Sequence, residues 1–266
     1  KEQGELYIFR LDAHLQRLFR SMKMMRLESP YTIDEYKEHL LELVRANELR
    51  EDLHIRVQVL AEEDNGGLAS TSPVGVAMAA MPMGRYVEKE GEHCCVSSWL
   101  RIADHTLPPR IKCIANYHNS RLALLQAKVD GYDNAILLNS SGKVTEGPGY
   151  NLFIVRDGIP TTCPTTCGIL EGVTRATLID LFCELHNRPV VEREIDRTEL
   201  YVADEAFFCG TAAEVIPILS IDRYKLSDGR PGPLTKLIRQ SYFDVAMGKV
   251  PYHNEWRTPT YSSRRS

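Results

Sequence analysis

A lysine, a glutamate and two glycine-bearing turns are the residues of this sequence best suited to chemistry. Lys112 stands in Pro108-Pro109-Arg110-Ile111-Lys112-Cys113-Ile114-Ala115-Asn116-Tyr117, between apolar residues and after two prolines that hold the preceding backbone extended. A desolvated lysine has a lowered pKa and forms a Schiff base with a carbonyl. The plain alternative is an edge lysine whose stem lies on apolar surface while its ammonium reaches water. Glu146 ends an apolar stretch at Gly147-Pro148-Gly149-Tyr150-Asn151. It is either a solvated turn residue or an acid held against a ring nitrogen, keeping that nitrogen protonated so that the ring withdraws electrons.

Two further stretches suit an anion. Gly172-Val173-Thr174 opens a helix, whose first N–H groups and positive dipole end attract phosphate; otherwise Thr174 only caps the helix. Gly210-Thr211-Ala212-Ala213 is a turn of small residues whose N–H groups can approach a ligand closely, or else a simple hairpin connection. Arg17 offers a guanidinium for the same phosphate, or is an ordinary helix-surface residue.

The elements that must position these residues are legible in order. A strand over Glu5–Arg10 leads to a helix capped by Asp12 and running to Met25, and a second helix starts at the Thr32–Glu35 capping box. Strands follow over Leu53–Ala61 and Val74–Met83, joined by the polar loop Glu62–Pro73, and another over Cys94–Trp99. Asn116–Val129 reads as a helix with Leu122, Leu124, Leu125 and Ala127 inward, and Val173–His186 as another. Strands are expected at Ala135–Leu138, Leu152–Val155, Pro189–Ile195, Glu205–Cys209 and Glu214–Ile221, with a last helix from Leu234 to Met247. Strands that mostly turn back on themselves, with helices to one side, predict an α+β fold. The glycine- and charge-rich stretch near Gly84–Gly91 predicts a small N-terminal α+β domain over 1–86, a linker over 87–94 and a large domain over 95–266.

Composition bounds the rest. The chain has 266 residues, 43% hydrophobic and 26% charged, enough for one large or two medium globular domains. A formal charge of −4 gives no electrostatic reason to expect nucleic acid or an anionic membrane as partner. No apolar run approaches the ~18 residues of a membrane span, and no stretch reads as a signal peptide. Seven cysteines, an odd number, point to a reducing compartment and so to a cytoplasmic location. Neither Cys163 with Cys167 nor Cys94 with Cys95 has a second ligand pair at metal-site spacing, so no metal is expected. Lys1-Glu2-Gln3-Gly4 reads like the middle of a hairpin turn, so a natural chain that starts further upstream is expected.

In order and spacing these stretches resemble the class IV aminotransferases, the fold-type IV (D-amino acid aminotransferase-like) enzymes that use pyridoxal 5'-phosphate. The branched-chain amino acid aminotransferases are the nearest group. The resemblance runs from Phe9 to Gly248 and is carried by Arg17, by Lys112 with Asn116-Tyr117, and by Glu146-Gly147-Pro148-Gly149-Tyr150-Asn151. Leu170-Glu171-Gly172-Val173-Thr174-Arg175, Ala203-Asp204-Glu205, Gly210-Thr211-Ala212-Ala213-Glu214-Val215 and Gly232-Pro233-Leu234-Thr235 complete it. It implies a two-domain enzyme in which Lys112 holds the cofactor and shuttles a proton, Tyr117 bonds the ring hydroxyl and Glu146 the pyridine nitrogen. Arg17, Val173, Thr174 and Thr211 would bind the phosphate, and Thr211 and Ala212 the substrate carboxylate. His54, Arg56 and Tyr86 would contact substrate.

The resemblance further implies amino transfer between branched-chain L-amino acids and 2-oxoglutarate by a homodimer, with Glu62–Pro73 reaching toward the partner. Three features depart from the family pattern. His54 replaces a tyrosine two residues before Arg56. Pro148 and Tyr150 alter the glycine loop. The sequence, which opens at Lys1, contains no Phe-x-Gly-x-Arg segment of the kind the family carries. A D-amino acid transaminase carries an Arg-x-His pair in the loop that here is Glu62–Pro73, which has neither residue. The alternative is an (R)-selective amine or D-amino acid transaminase of the same fold, or mixed specificity, with His54 and Tyr150 keeping the amine and mixed options open.

Overall fold

The computed structural model describes residues 5–62, 67, 69–71, 73–84 and 89–262. In chain order the elements are β1 (Tyr7–Phe9), α1 (Leu11–Met24), α2 (Ile33–Ala46), β2 (Leu53–Ala61), β3 (Val74–Pro82), β4 (Glu92–Val96) and α3 (Asn116–Val129). Then come β5 (Asn134–Ile136), β6 (Asn151–Arg156), β7 (Ile159–Thr162), α4 (Val173–His186) and β8 (Val191–Glu192). The chain ends with β9 (Glu205–Gly210), β10 (Glu214–Ile221), β11 (Tyr224–Lys225), α5 (Pro233–Ala246) and β12 (Arg257–Pro259). It divides into two compact units, Lys1–Gly84 with Phe243–Ser266, and Arg85–Tyr242.

In the first unit, β2 and β3 pair antiparallel from Leu53–Pro82 to Ala61–Val74. Alternation along a strand sends Ile55 and Val57, with Val76 and Met78, onto Leu11, Leu15, Tyr36 and Leu40 of the two helices. His54 and Arg56 therefore stand on the opposite face of this two-stranded sheet. Helix α2 begins as expected: the Thr32 hydroxyl accepts from Glu35 N, and the Glu35 carboxylate accepts from Thr32 N at 2.7 Å. Asp12 does not cap α1. Arg10 takes the cap position in left-handed backbone (φ 56°), and Asp12, one turn in, pairs with Lys37 of α2 at 2.6 Å.

The domain expectation needs two corrections. Residues 243–266, expected in the large domain, belong with the first unit. β12 pairs antiparallel with β1, and the Glu5 carboxylate accepts the N–H groups of Thr260 (3.0 Å), Tyr261 (2.8 Å) and Ser262 (2.7 Å). Residues 92–94, expected in a linker, are strand, because β4 pairs in parallel with β5 and β10.

The second unit is built on an eight-stranded mixed sheet in the order β5-β4-β10-β9-β6-β7-β8, with β11 on β10. Its centre is buried on both faces, so β6 and β9 are buried at every residue but the last rather than alternately. Phe153 stacks on Phe207 at 5.1 Å, and Phe182 of α4 packs beside Phe207 at 6.4 Å. Of the residues of α3 expected inward, Ala127 is buried, Leu122 and Leu124 are half-buried and Leu125 is not. Ala123 and Ala127 meet Ala135 and Leu137, while Leu125 is exposed, since small side chains let the helix lie close to the sheet. Only Val191–Glu192 of the expected strand 189–195 pairs.

Two of the sequence stretches prove to be one structural device. The buried carboxylate of Glu205 on β9 accepts from Leu234 N (3.0 Å) and from Thr235 N and Oγ1 (both 2.7 Å), capping α5. A side chain on Gly232 would collide with that carboxylate.

Candidate active site

Lys112 lies in an irregular segment between β4 and α3 rather than on a strand. Asn116, buried in the first turn of α3, ties the segment down: its Nδ2 donates to Pro108 O at 3.0 Å and Ile111 O at 2.8 Å. Arg110 adds a second tether, with Nε 3.0 Å from Glu171 Oε1 and Nη1 2.8 Å from Asp104 Oδ1. Ile111 enters the core and turns the next residue outward, so Lys112 is exposed, and the burial expected of it is not supplied by these residues. Its Nζ donates to the Tyr117 hydroxyl at 2.7 Å.

Glu146, by contrast, is buried. It bridges to Asn151 across the glycine loop, where Gly147 N donates to Tyr150 O at 2.8 Å. Three chain segments hold its carboxylate. Arg101 contributes Nε at 2.8 Å and Nη2 at 2.7 Å, both on Oε1. Asn151 Nδ2 reaches Oε2 at 2.9 Å, and Leu170 N is shared at 3.3 and 3.2 Å between the two oxygens. Burial pushes the Glu146 pKa up to about 7; the Arg101 charge, the Leu170 N–H, the Arg101 hydrogen bond and the Lys112 charge pull the other way. The Lys112 charge acts on Glu146 because both face one region.

The two stretches of this unit expected to bind an anion lie against the same glycine loop. Helix α4 has Gly172 at its N-cap and no side-chain cap, so its first N–H groups have no intrahelical acceptor. A Cβ on Gly172 would stand 1.9 Å from Asn151 Oδ1, and Asn151 Nδ2 also donates to Leu170 O at 3.0 Å. Val173 and Thr174 are both buried, and the Thr174 side chain bonds the hydroxyl of buried Tyr242. The turn Thr211-Ala212-Ala213 joins β9 to β10, which pair as far as Gly210–Glu214, and Thr211 is exposed. A Cβ on Gly210 would stand 3.4 Å from the Tyr150 ring and 3.5 Å from Gly149 O, and one on Gly149 4.0 Å from the Tyr117 ring. Lys112, Tyr117, Glu146, Val173, Thr174, Thr211 and Ala212 thus all belong to the second unit, on segments joined by these contacts.

Three other expected site residues lie in the first unit. Arg17 is on α1, half-buried, with Nη2 3.5 Å from His14 Nδ1; half-buried His54 and exposed Arg56 are on β2. Tyr86 and much of the Glu62–Pro73 loop lie outside the described residues. Arg101, Asn116 and the Arg110–Glu171 pair carry no role in the sequence reading. The available signal was slight: a lone arginine two residues past an exposed tryptophan, 45 residues from its carboxylate partner.

The chain matches the amino-transferase class IV family over residues 2–221. It is 43% identical over 256 residues to a branched-chain-amino-acid aminotransferase of Pseudomonas aeruginosa, covering 94% of this chain and 82% of the relative. The structure of a branched-chain amino acid aminotransferase from Thermobaculum terrenum in its PLP-form superposes with a TM-score of 0.92 at 43% identity. That match covers 98% of this chain and 85% of the other. A further branched-chain amino acid aminotransferase, complexed with N-(5'-phosphopyridoxyl)-L-glutamate, gives a TM-score of 0.91 at 35% identity, over 96% and 85% of the two chains. The chain belongs to the class IV aminotransferases, with the α+β fold of fold-type IV.

The Gly172–Asn151 contact is testable by itself. Gly172→Ala must displace Asn151, which is pinned on both sides, so we expect denaturant unfolding to show a loss of about 1–3 kcal/mol, as in overpacked cores. Unchanged stability would mean that Asn151 moves freely and the network is not rigid.

Proposed function

We propose that this chain moves the amino group between branched-chain L-amino acids and 2-oxoglutarate, with pyridoxal 5'-phosphate held on Lys112. The observation that carries the reading is the convergence, in one unit, of Lys112 with Tyr117, buried Glu146 and a helix N-terminus without a side-chain cap. As a class IV aminotransferase the protein is a pyridoxal-phosphate enzyme, and its residues fit that group. Gly172 keeps the start of α4 clear of side chain, and Glu146 is an acid suited to a ring nitrogen. The branched-chain names of the relatives support the amino donor, and the glutamate adduct in one of them supports the dicarboxylate partner.

When bound, the pyridine ring draws electrons from the carbon bearing the amino group and so acidifies its proton. Lys112 Nζ, as free amine, would be the group that moves this proton, and the Tyr117 hydroxyl, which accepts from Nζ at 2.7 Å, would orient it and bond the ring hydroxyl. Glu146 would hold the ring nitrogen protonated. The first N–H groups of α4, at Val173 and Thr174, would bind the phosphate together with Thr211. Thr211 and Ala212 offer N–H groups to the α-carboxylate. His54 and Arg56, on one face of β2, are the residues assigned to the substrate side chain.

Among the described residues no helix is long and apolar enough to cross a membrane, and all seven cysteines are free thiols, which supports a reducing cytoplasm as the location. The working form in this reading is a homodimer. Exposed Trp99, Leu100, Leu107 and Ile114 beside the Lys112 segment support a partner surface there. Sedimentation at assay concentration should give the dimer mass; a fully active monomer would remove this part.

The reading is tested first at Lys112. Lys112→Ala should lose the visible absorbance of lysine-bound cofactor and drop turnover from L-leucine, L-isoleucine and L-valine at least about 100-fold, since tether and base go together. Turnover near wild type would sink it.

Substrate choice is tested at Arg56. A guanidinium pairs with the far carboxylate of glutamate, whereas an apolar side chain needs only burial, at about 25 cal/mol per Å². Arg56→Ala should raise KM for 2-oxoglutarate about ten- to a hundred-fold, the ~1.5–3 kcal/mol of a charged hydrogen bond, and barely change KM for a branched-chain 2-oxo acid. Equal losses on both acceptors would show Arg56 to be structural.

A further inference from the structure

Glu146 must be ionised to pair with a protonated ring nitrogen, yet its surroundings favour the neutral acid. What opposes them is Arg101. The two side chains are only 7% and 5% exposed, and Arg101 turns both Nε and Nη2 onto the single oxygen Oε1. Oε2 is left with one side-chain donor, Asn151 Nδ2, and a share of the Leu170 N–H. The remaining guanidinium nitrogen, Nη1, is buried with no hydrogen-bond partner, so this arginine is not placed to make as many bonds as it can. It is anchored instead for one contact. Arg101 N donates to Leu138 O at 2.8 Å, and Leu100 O accepts from Asn119 Nδ2 of α3 at 2.8 Å.

We propose that Arg101 is the positioning residue of this site: it clamps Oε1 so that Glu146 is held as an oriented anion, with Oε2 the oxygen that retains acceptor capacity for the cofactor's ring N–H. The inference rests on the reading that the site takes pyridoxal phosphate. It is a role through another residue, since Arg101 acts on the cofactor only by way of Glu146. Leaving a buried guanidinium with an orphaned nitrogen is costly, and the cost is explained if the geometry serves the carboxylate rather than the arginine.

The charged and titratable groups facing Glu146 are few. Arg101 and Lys112 lower its pKa, while the buried thiols of Cys163 and Cys209 are pushed up by burial and stay neutral. With Arg101 in place burial still brings Glu146 up to about 7, and the Arg101 charge leads the influences that oppose burial. An opposite charge at this distance lowers a carboxyl pKa by about 1–3 units, and removing it should return that amount.

The test is an infrared pH titration of the apoprotein, following the carbonyl band of the protonated carboxyl group isolated by subtraction of Glu146→Gln. Wild type should titrate near 7. In Arg101→Met, or in Arg101→Gln if the first variant does not fold, the midpoint should rise by about 1–3 pH units, and Arg101→Lys should bring it back to within about one unit of wild type. An unmoved midpoint in the neutral variant would overturn the inference, and so would a lysine variant that shifts as far as methionine. Cofactor uptake is measured separately on the wild type. Failure to bind pyridoxal phosphate there would remove the functional reading while leaving the Arg101–Glu146 titration intact.

Discussion

A carboxylate buried in the second unit is the constraint on which the arrangement around it depends. Taking Glu146 out of water is expensive unless its charge is met by donors in good geometry. The donors come from three places: Arg101 in the segment after β4, Asn151 on β6 and Leu170 just before α4. Holding one side chain therefore fixes three stretches of chain that lie up to 69 residues apart between Arg101 and Leu170. The same stretches carry the rest of the site. Leu170 and Glu171 lead directly into the open end of α4, and Glu171 reaches across to Arg110 in the Lys112 segment.

Rigidity and reactivity are thus divided between neighbouring parts. The sheet centre, with its stacked phenylalanines and fully buried strands, is a frame that leaves little freedom to β6, β9 and β10. The residues proposed for the chemistry sit largely on the loops between elements, where backbone N–H groups remain available. Lys112 illustrates the division: its segment is pinned by Asn116 and Arg110, while its own side chain is exposed and touches Tyr117. The proposed role of Lys112 as a base calls for such a fixed root and free tip.

Much of this was legible in the sequence where the signal is local. The Thr32–Glu35 capping box, the helices Asn116–Val129 and Val173–His186 and the strand Glu214–Ile221 follow from spacing within a few residues, and they stand as expected. What could not be read are pairings between distant stretches. Nothing in Arg257–Pro259 announces that it pairs with Tyr7–Phe9, so by sequence alone the C-terminal segment reads as part of the other domain. Helix α3 misled because a leucine-rich face suggests a core, whereas two alanines allow the closer approach. In the site, Lys112 and Glu146 were visible as unusual residues in unusual company. Arg101 was not, because its meaning lies wholly in a carboxylate far along the chain.

The central claim is that Glu146 holds the ring nitrogen of the cofactor protonated, and the most direct measurement is of that nitrogen. Pyridoxal phosphate labelled with nitrogen-15 in the ring, bound to the protein at neutral pH, reports the protonation of that atom by its chemical shift. The account predicts a protonated ring nitrogen in the wild type and an unprotonated one in Glu146→Gln, with Lys112 still bound to the cofactor in both. A ring nitrogen unprotonated in the wild type, or equally protonated in both proteins, would contradict it.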